Sequence, residues 1–323
     1  MSGDGMNPPF KWFGGKRRVA GEVWRRFGAV STYIEPFFGS GAVLLGAPAP
    51  SKLEVVNDKD CLVANFWRAA QNAPEELARL AADPVNEAEH TARHVYVCEH
   101  MDDLQPRIMA DVSYYDVTVA GYWMYSIRRW IGSGYASGDG AWGVRTDPDG
   151  TRVLVRAKEN PGVKGIIIRQ RPGKGAVPTR EEVFAGISAL SRRLARVLVL
   201  CGDWSRAVTP VNFPASGVGG VFLDPPYSSA RNITYREDGD LREGIMRWCR
   251  ENGGREDRRI AVCGYDGEYN ELQNSGWTTH AWKASGGFSK LSGGQNENSS
   301  KERIWFSPHC LPEVTPGLFC GRA

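Results

Sequence analysis

With 323 residues, 41% of them hydrophobic, the chain is long enough for one large domain carrying an inserted one. Its apolar runs, such as Arg196-Val197-Leu198-Val199-Leu200-Cys201, fall far short of a membrane span, and Met1-Ser2-Gly3-Asp4-Gly5 lacks the basic-then-apolar start of a signal peptide, so no membrane partner and a cytoplasmic location are expected. A formal net charge of +3 does not by itself argue for nucleic acid, and seven cysteines with no C-x-x-C pair and no histidine at ligand spacing argue against a metal site or a disulfide framework.

In chain order, the pattern predicts a helix over 16–27, a strand over Thr32-Tyr33-Ile34-Glu35, a short helix over 41–45, a strand over Leu53-Glu54-Val55-Val56-Asn57 and a helix over 61–70. Between the first strand and the short helix, Glu35-Pro36-Phe37-Phe38-Gly39-Ser40-Gly41 reads as a tight glycine turn. Such a turn brings backbone N–H groups close to a ligand, and a helix N-terminus favours a negative group such as a carboxylate. Leu44 stands where a dinucleotide fingerprint needs its third glycine, which disfavours a dehydrogenase. Gly14-Gly15-Lys16-Arg17 also fails as a P-loop, because Phe10 and Arg17 replace the first glycine and the Ser or Thr. Asp58 closes the second strand, where a carboxylate can accept hydrogen bonds from ribose hydroxyls.

The strand–helix alternation stops between about residue 75 and residue 180. Pro74-Glu75-Glu76-Leu77 opens a helix-rich section, in which Tyr114, Tyr115, Tyr122, Trp123, Tyr125 and Trp130 are expected to pack as helix core. A Gly-rich, basic stretch follows over 132–174. Between 141 and 180, nine Lys or Arg stand against three acids. Arg145, Arg152, Arg156, Lys158, Lys164, Arg169, Arg171 and Lys174 are therefore candidates for tracking a nucleic-acid backbone. This section reads as a domain inserted at 75–180 into a main domain built from 1–74 and 181–323.

Alternation resumes with a helix over 180–195, strands over 196–201 and 221–223, a helix over 241–251 and strands over 259–262 and 304–306. Helices alternating with strands argue for a mostly parallel sheet covered on both faces. In Cys201-Gly202-Asp203-Trp204, Asp203 ends a strand and can hold a cofactor base. Gly219-Gly220-Val221-Phe222-Leu223 is a buried strand that must end before Asp224-Pro225-Pro226-Tyr227, since two prolines cannot continue a ladder. Asp224 is thus expected at the carboxyl edge of the sheet, where open α/β sheets bind ligands. The tetrapeptide sets a carboxylate, a stiff backbone carbonyl and an aromatic ring side by side, the parts needed to hold and activate an exocyclic amine. Asp58, Asp203 and Asp224 each have a plain alternative as loop or cap residues; their joint placement at strand ends beside a glycine turn favours one shared site.

Four separated motifs occur in order: Pro9-Phe10-Lys11-Trp12-Phe13-Gly14-Gly15-Lys16, Glu35-Pro36-Phe37-Phe38-Gly39-Ser40-Gly41, Val56-Asn57-Asp58 and Asp224-Pro225-Pro226-Tyr227. Gly202-Asp203-Trp204 and Glu302-Arg303-Ile304-Trp305-Phe306-Ser307-Pro308 support them. As a set they resemble the Dam-like family of S-adenosylmethionine-dependent DNA adenine N6-methyltransferases, the D12 class. The resemblance implies a Rossmann-like methyltransferase sheet with helices on both faces and an inserted, mainly helical target-recognition domain. It implies S-adenosylmethionine as cofactor, double-stranded DNA as partner and no metal. Trp12 and Lys16 would meet the cofactor, with Lys16 near its carboxylate, while Asp58 would bind its ribose and Asp203 its adenine. Glu35, Pro36, Phe37, Gly39, Ser40, Gly41, Trp204 and Asp224 complete the implied cofactor set, and Asp224, Pro225, Pro226 and Tyr227 the catalytic one.

Within that frame, Asp224 and the Pro225 carbonyl would accept the two protons of an adenine N6 amine and Tyr227 would stack on the extruded base. Cytosine C5 methylation is disfavoured because no Pro-Cys dipeptide exists for the nucleophile. Cytosine N4 methylation, RNA methylation and an inactive DNA-binding version of the fold stay as rivals. The insert departs most from the family, so no recognition sequence carries over. No nuclease motif is present, so any restriction endonuclease companion would be a separate protein.

Overall fold

The computed structural model describes residues 5–10, 12, 15–84, 86–128, 142–146, 148, 152–156, 178–226, 238–282 and 302–313. The chain runs through α1 (Arg17–Phe27), β1 (Thr32–Glu35), α2 (Ala42–Leu45), β2 (Leu53–Asp58), α3 (Cys61–Asn72), α4 (Pro74–Ala81), α5 (Glu87–Ala110) and α6 (Val117–Ile127). It continues through β3 (Trp142–Thr146), β4 (Arg152–Arg156), α7 (Arg180–Leu194), β5 (Val197–Cys201), β6 (Gly219–Leu223), α8 (Asp238–Asn252), β7 (Arg258–Tyr265), β8 (Thr278–Ala281) and β9 (Glu302–Phe306). Among the described residues no helix is long and apolar enough to cross a membrane.

A seven-stranded sheet has the order β5-β2-β1-β6-β7-β9-β8, and β3 and β4 form a separate antiparallel pair. The pairings β1–β2, β1–β6 and β6–β7 are parallel, whereas β9 runs antiparallel to both β7 and β8. Parallel strands covered on both faces read as continuous apolar runs. Val221, Phe222 and Leu223 of β6 and Ile260, Ala261 and Val262 of β7 follow that rule, all being fully buried. The mixed α/β architecture and its Rossmann-like sheet agree with the expected fold class.

Two differences from the sequence reading have simple causes. β8, Thr-Thr-His-Ala, was not expected, because a polar edge strand with three exposed positions lacks apolar alternation. The basic stretch, read as a loop, contains the β3–β4 hairpin, in which Trp142 pairs with Arg156 and Thr146 with Arg152. Its signal was present: Val153-Leu154-Val155 is a short aliphatic run between two arginines, and Asp147-Pro148-Asp149-Gly150 is rich in turn formers.

By contact density the chain forms two compact units, one comprising 1–7, 14–56 and 204–323 and the other 8–13 and 57–203. In the second unit, Pro74 opens α4 at a position where its missing N–H costs no hydrogen bond. Asp116 caps α6 by accepting from the Val119 N–H, and Trp123 and Tyr125 on that helix are core, as the aromatic pattern suggested. The Arg68 guanidinium of α3, 2% exposed, ties this unit together. Its Nε donates to the Val199 carbonyl of β5 at 3.0 Å. Its Nη1 donates to the carbonyls of Ile108, Asp111 and Tyr114 at 3.0, 2.8 and 3.0 Å, fastening the end of α5 and the connection to α6.

A lysine cannot reproduce that fork of donors, so Arg68→Lys should lower stability by about 2–4 kcal/mol in urea denaturation. His94 on α5 offers a second test. Burial first, and the neighbouring His90 second, push its pKa down to about 4. The unfolded chain takes up this proton near pH ~6.5 while the folded chain resists until about pH 4, so stability is complete above pH ~6.5 and falls by roughly 3 kcal/mol as pH drops through that window. His94→Gln should show a shallower loss of Tm than wild type between those pH values.

Candidate active site

The sheet changes direction of progress between β1 and β6: from β1 the chain moves outward to β2, and from β6 outward on the other side to β7. Ligands in open α/β sheets bind at the carboxyl ends beside such a reversal. In the first unit those ends carry Glu35, the last residue of β1, and Asp224, the first residue after β6. Pro225 is buried and Pro226 exposed, and the Asp224 side chain keeps 18% of its surface exposed.

Lys16, just ahead of α1 and 4% exposed, meets this edge. Its Nζ lies 2.9 Å from Asp224 Oδ1 and 3.8 Å from Glu302 Oε2, with the Trp282 ring centroid 5.5 Å away. Burial pulls the Lys16 pKa down, but the Asp224 carboxylate, with that of Glu302 after it, pushes it up more, so the net shift is upward and the ammonium stays charged. Glu302 is the first residue of β9. Cys263, buried in β7, has its thiol pKa raised well above the usual range by burial first and by Asp224 next, which favours the neutral thiol. Glu35 is buried and accepts a hydrogen bond from Tyr33 Oη at 2.8 Å, two residues earlier on the same face of β1.

The glycine turn after β1 needs its glycines. Gly39 and Gly41 adopt φ of +47° and +65°, which other residues rarely take, and the Gly41 N–H closes the turn on the Phe38 carbonyl at 2.8 Å. Pro36 and Ser40 are buried beside it. The helix it opens, α2, is only four residues long, so its dipole adds little and the turn's backbone N–H groups carry any anion preference. Phe37 lies nearly parallel to Trp204, with centroids 6.4 Å apart and planes 20° apart, and Trp204 meets Trp248 edge-on at 6.2 Å.

In the second unit, Asp58 and Asp203 stand at the ends of β2 and β5, neighbours in the sheet. Gly202 joins them: its N–H donates to the Asp58 carbonyl at 3.0 Å, and its carbonyl accepts from Asn57 Nδ2 at 3.0 Å. Asp58 Oδ1 accepts from the Asp60 N–H at 2.9 Å, and Asp203 is exposed. Trp12, half-buried, rests edge-on against Phe10 at 5.8 Å and tilted against Trp123 at 6.3 Å.

The expected residues therefore gather in two sets: Lys16 with Asp224, and Asp58 with Asp203. Lys16, implied to lie near a cofactor carboxylate, lies against two carboxylates of the protein. Tyr227, Lys158, Lys164, Arg169, Arg171 and Lys174 fall outside the described residues, while Arg145, Arg152 and Arg156 belong to the β3–β4 hairpin. The role of Glu302, the setting of Cys263 and the place of Trp282 were not foreseen. A lone acid opening the strand Glu302-Arg303-Ile304-Trp305-Phe306 was the available hint for the first. Elsewhere, Glu22, His280 and Glu313 hold potential ligand atoms within 4.8 Å of one another, but the buried Glu22 pairs with Arg25 at 2.6 Å and the exposed Glu313 lies 3.5 Å from His280 Nδ1, which suits ion pairing.

No curated protein matches the chain at a significant level. The family model for the D12 class N6 adenine-specific DNA methyltransferases matches residues 12–127, a span that takes in the glycine turn after β1, the end of β2 and Asp58. Over that span the chain is similar to the D12 class N6 adenine-specific DNA methyltransferases, the family that its ordered motifs resemble.

Proposed function

We propose that the protein is a site-specific enzyme that moves a methyl group from S-adenosylmethionine to the N6 amine of an adenine flipped out of duplex DNA. The observation that carries this reading is Asp224, held by Lys16 at 2.9 Å directly beyond β6, with the buried Pro225 next to it. Adenine N6 is a poor nucleophile because its lone pair is delocalised into the ring. Asp224 accepts one N–H of the amine and the Pro225 carbonyl the other, which turns the lone pair out of conjugation and stabilises the positive charge that grows on nitrogen. After transfer, the nitrogen sheds one of these protons.

The donor set suits the cofactor. Asp58 and Asp203 offer carboxylates at neighbouring strand ends, matching ribose hydroxyls and an adenine amine. The positive-φ turn Gly39-Ser40-Gly41 offers close backbone approach, with Glu35, Pro36, Phe37, Trp204, Trp12 and Lys16 as further contacts. Bound by these residues, S-adenosylmethionine supplies an electrophilic methyl group, so neither a metal nor a covalent enzyme intermediate is needed. Tyr227 stacks on the flipped base, whose extrusion costs a few kcal/mol. Residues 75–180 serve as the target-recognition domain, in which Arg145, Arg152 and Arg156 of the hairpin, with Lys158, Lys164, Arg169, Arg171 and Lys174, grip phosphates. The enzyme acts in the cytoplasm.

Incubating the purified protein with S-adenosylmethionine and unmethylated duplex DNA, with RNA in parallel, and quantifying nucleosides by mass spectrometry should yield N6-methyladenine in DNA alone. N4-methylcytosine or methylated RNA would replace this reading. Asp224→Ala should lower transfer at least about a hundredfold while the far-UV spectrum stays unchanged. Arg152→Glu with Arg156→Glu should weaken DNA binding and reduce its salt slope by about 0.9 per lost phosphate contact.

A further inference from the structure

Lys16 raises a difficulty for the transfer step. Its ammonium is buried and sits on Asp224, the carboxylate that must turn to the substrate amine. If Asp224 were its one partner, releasing it to a neutral amine would strand a buried charge, at a cost of several kcal/mol. A second carboxylate stands by: Glu302, 7% exposed at the start of β9, places Oε2 3.8 Å from the same Nζ. That is less than 1 Å beyond hydrogen-bond reach, a gap that a lysine side chain closes by small torsional changes.

We propose that Glu302 is a positioning residue: it takes over the Lys16 ammonium when the substrate amine arrives, freeing Asp224 to accept an amine proton. The inference rests on the transfer reaction above. One ammonium shared by two carboxylates leaves the group with a net negative charge. When Lys16 moves to Glu302, that charge rests on Asp224, facing the nitrogen that becomes positive during transfer. Lys16 stays paired throughout, and the Trp282 ring 5.5 Å from Nζ offers a soft contact along the way. β9 supplies the rigidity, since Glu302 pairs with Tyr265 in the β7 register.

Glu302→Gln keeps the shape and removes the charge; Glu302→Asp keeps the charge and withdraws the oxygen. The inference expects Glu302→Gln to lower kcat at least about tenfold at neutral pH, with KM for DNA and Kd for S-adenosylmethionine within about twofold of wild type. Its kcat should recover as pH rises from about 7.5 to about 9.5, because Lys16, deprived of one carboxylate, loses its proton more easily and then releases Asp224. Glu302→Asp should retain intermediate activity, and wild type should show no such recovery. A wild-type kcat in Glu302→Gln, or a loss that is equal at every pH and shared with KM, would overturn the inference while leaving the transfer reaction intact. Absence of N6-methyladenine with the wild-type protein would instead remove the reaction itself, and this inference with it.

Discussion

Burying an ammonium is among the most demanding things a fold can do, and Lys16 sets that demand here. Isolated in the interior, its charge would be unsupportable; with Asp224 and Glu302 beside it, burial becomes tolerable and its proton is held more firmly than in water. The requirement links three places far apart in the chain: the residue ahead of α1, the residue beyond β6 and the first residue of β9. Each position has little freedom once the charges must meet. The same electrostatic need that orders this part of the sheet therefore also orients Asp224, the carboxylate to which the proposed transfer step is assigned.

The second unit meets a similar demand with different chemistry. Arg68 is as buried as Lys16, and the groups that receive its N–H donors include backbone carbonyls of β5, α5 and the α5–α6 connection. Carbonyls at helix ends lack intrahelical partners, so an arginine fork serves two purposes there, satisfying acceptors and fixing where one helix stops before the next begins. Beside it, Gly202 links the ends of β2 and β5 through its N–H to the Asp58 carbonyl and its carbonyl to the Asn57 side chain, which fixes where Asp58 and Asp203 stand.

Much of this was legible in the residues. The strands β1, β2, β5, β6 and β7 announce themselves as apolar runs, and the place of Asp224 follows from a local rule, since no ladder survives Pro225-Pro226. Asp58 and Asp203 were readable for the same reason, as acids at strand ends. What could not be read is what depends on distance through space. Lys16, Asp224 and Glu302 are separated by long stretches of sequence, and nothing in spacing says that their charges meet. The edge strand β8 hides because edge strands are polar, and the β3–β4 hairpin hides because its arginines outweigh its short aliphatic run when charge is the property being followed.

The place of β9 in the sheet has a consequence for how the protein comes into being. Among the described strands this one comes last in sequence, yet it lies inside the sheet, between β7 and β8. Until it emerges from the ribosome, β7 and β8 each present an unpaired edge, the kind of surface that recruits the wrong strand. Until then, too, the ammonium of Lys16 has only one of its two carboxylates. Completing this part of the sheet and assembling the charge cluster are thus a single event, and a nascent chain in which β9 has not yet formed has neither a covered β7 edge nor both carboxylates beside Lys16.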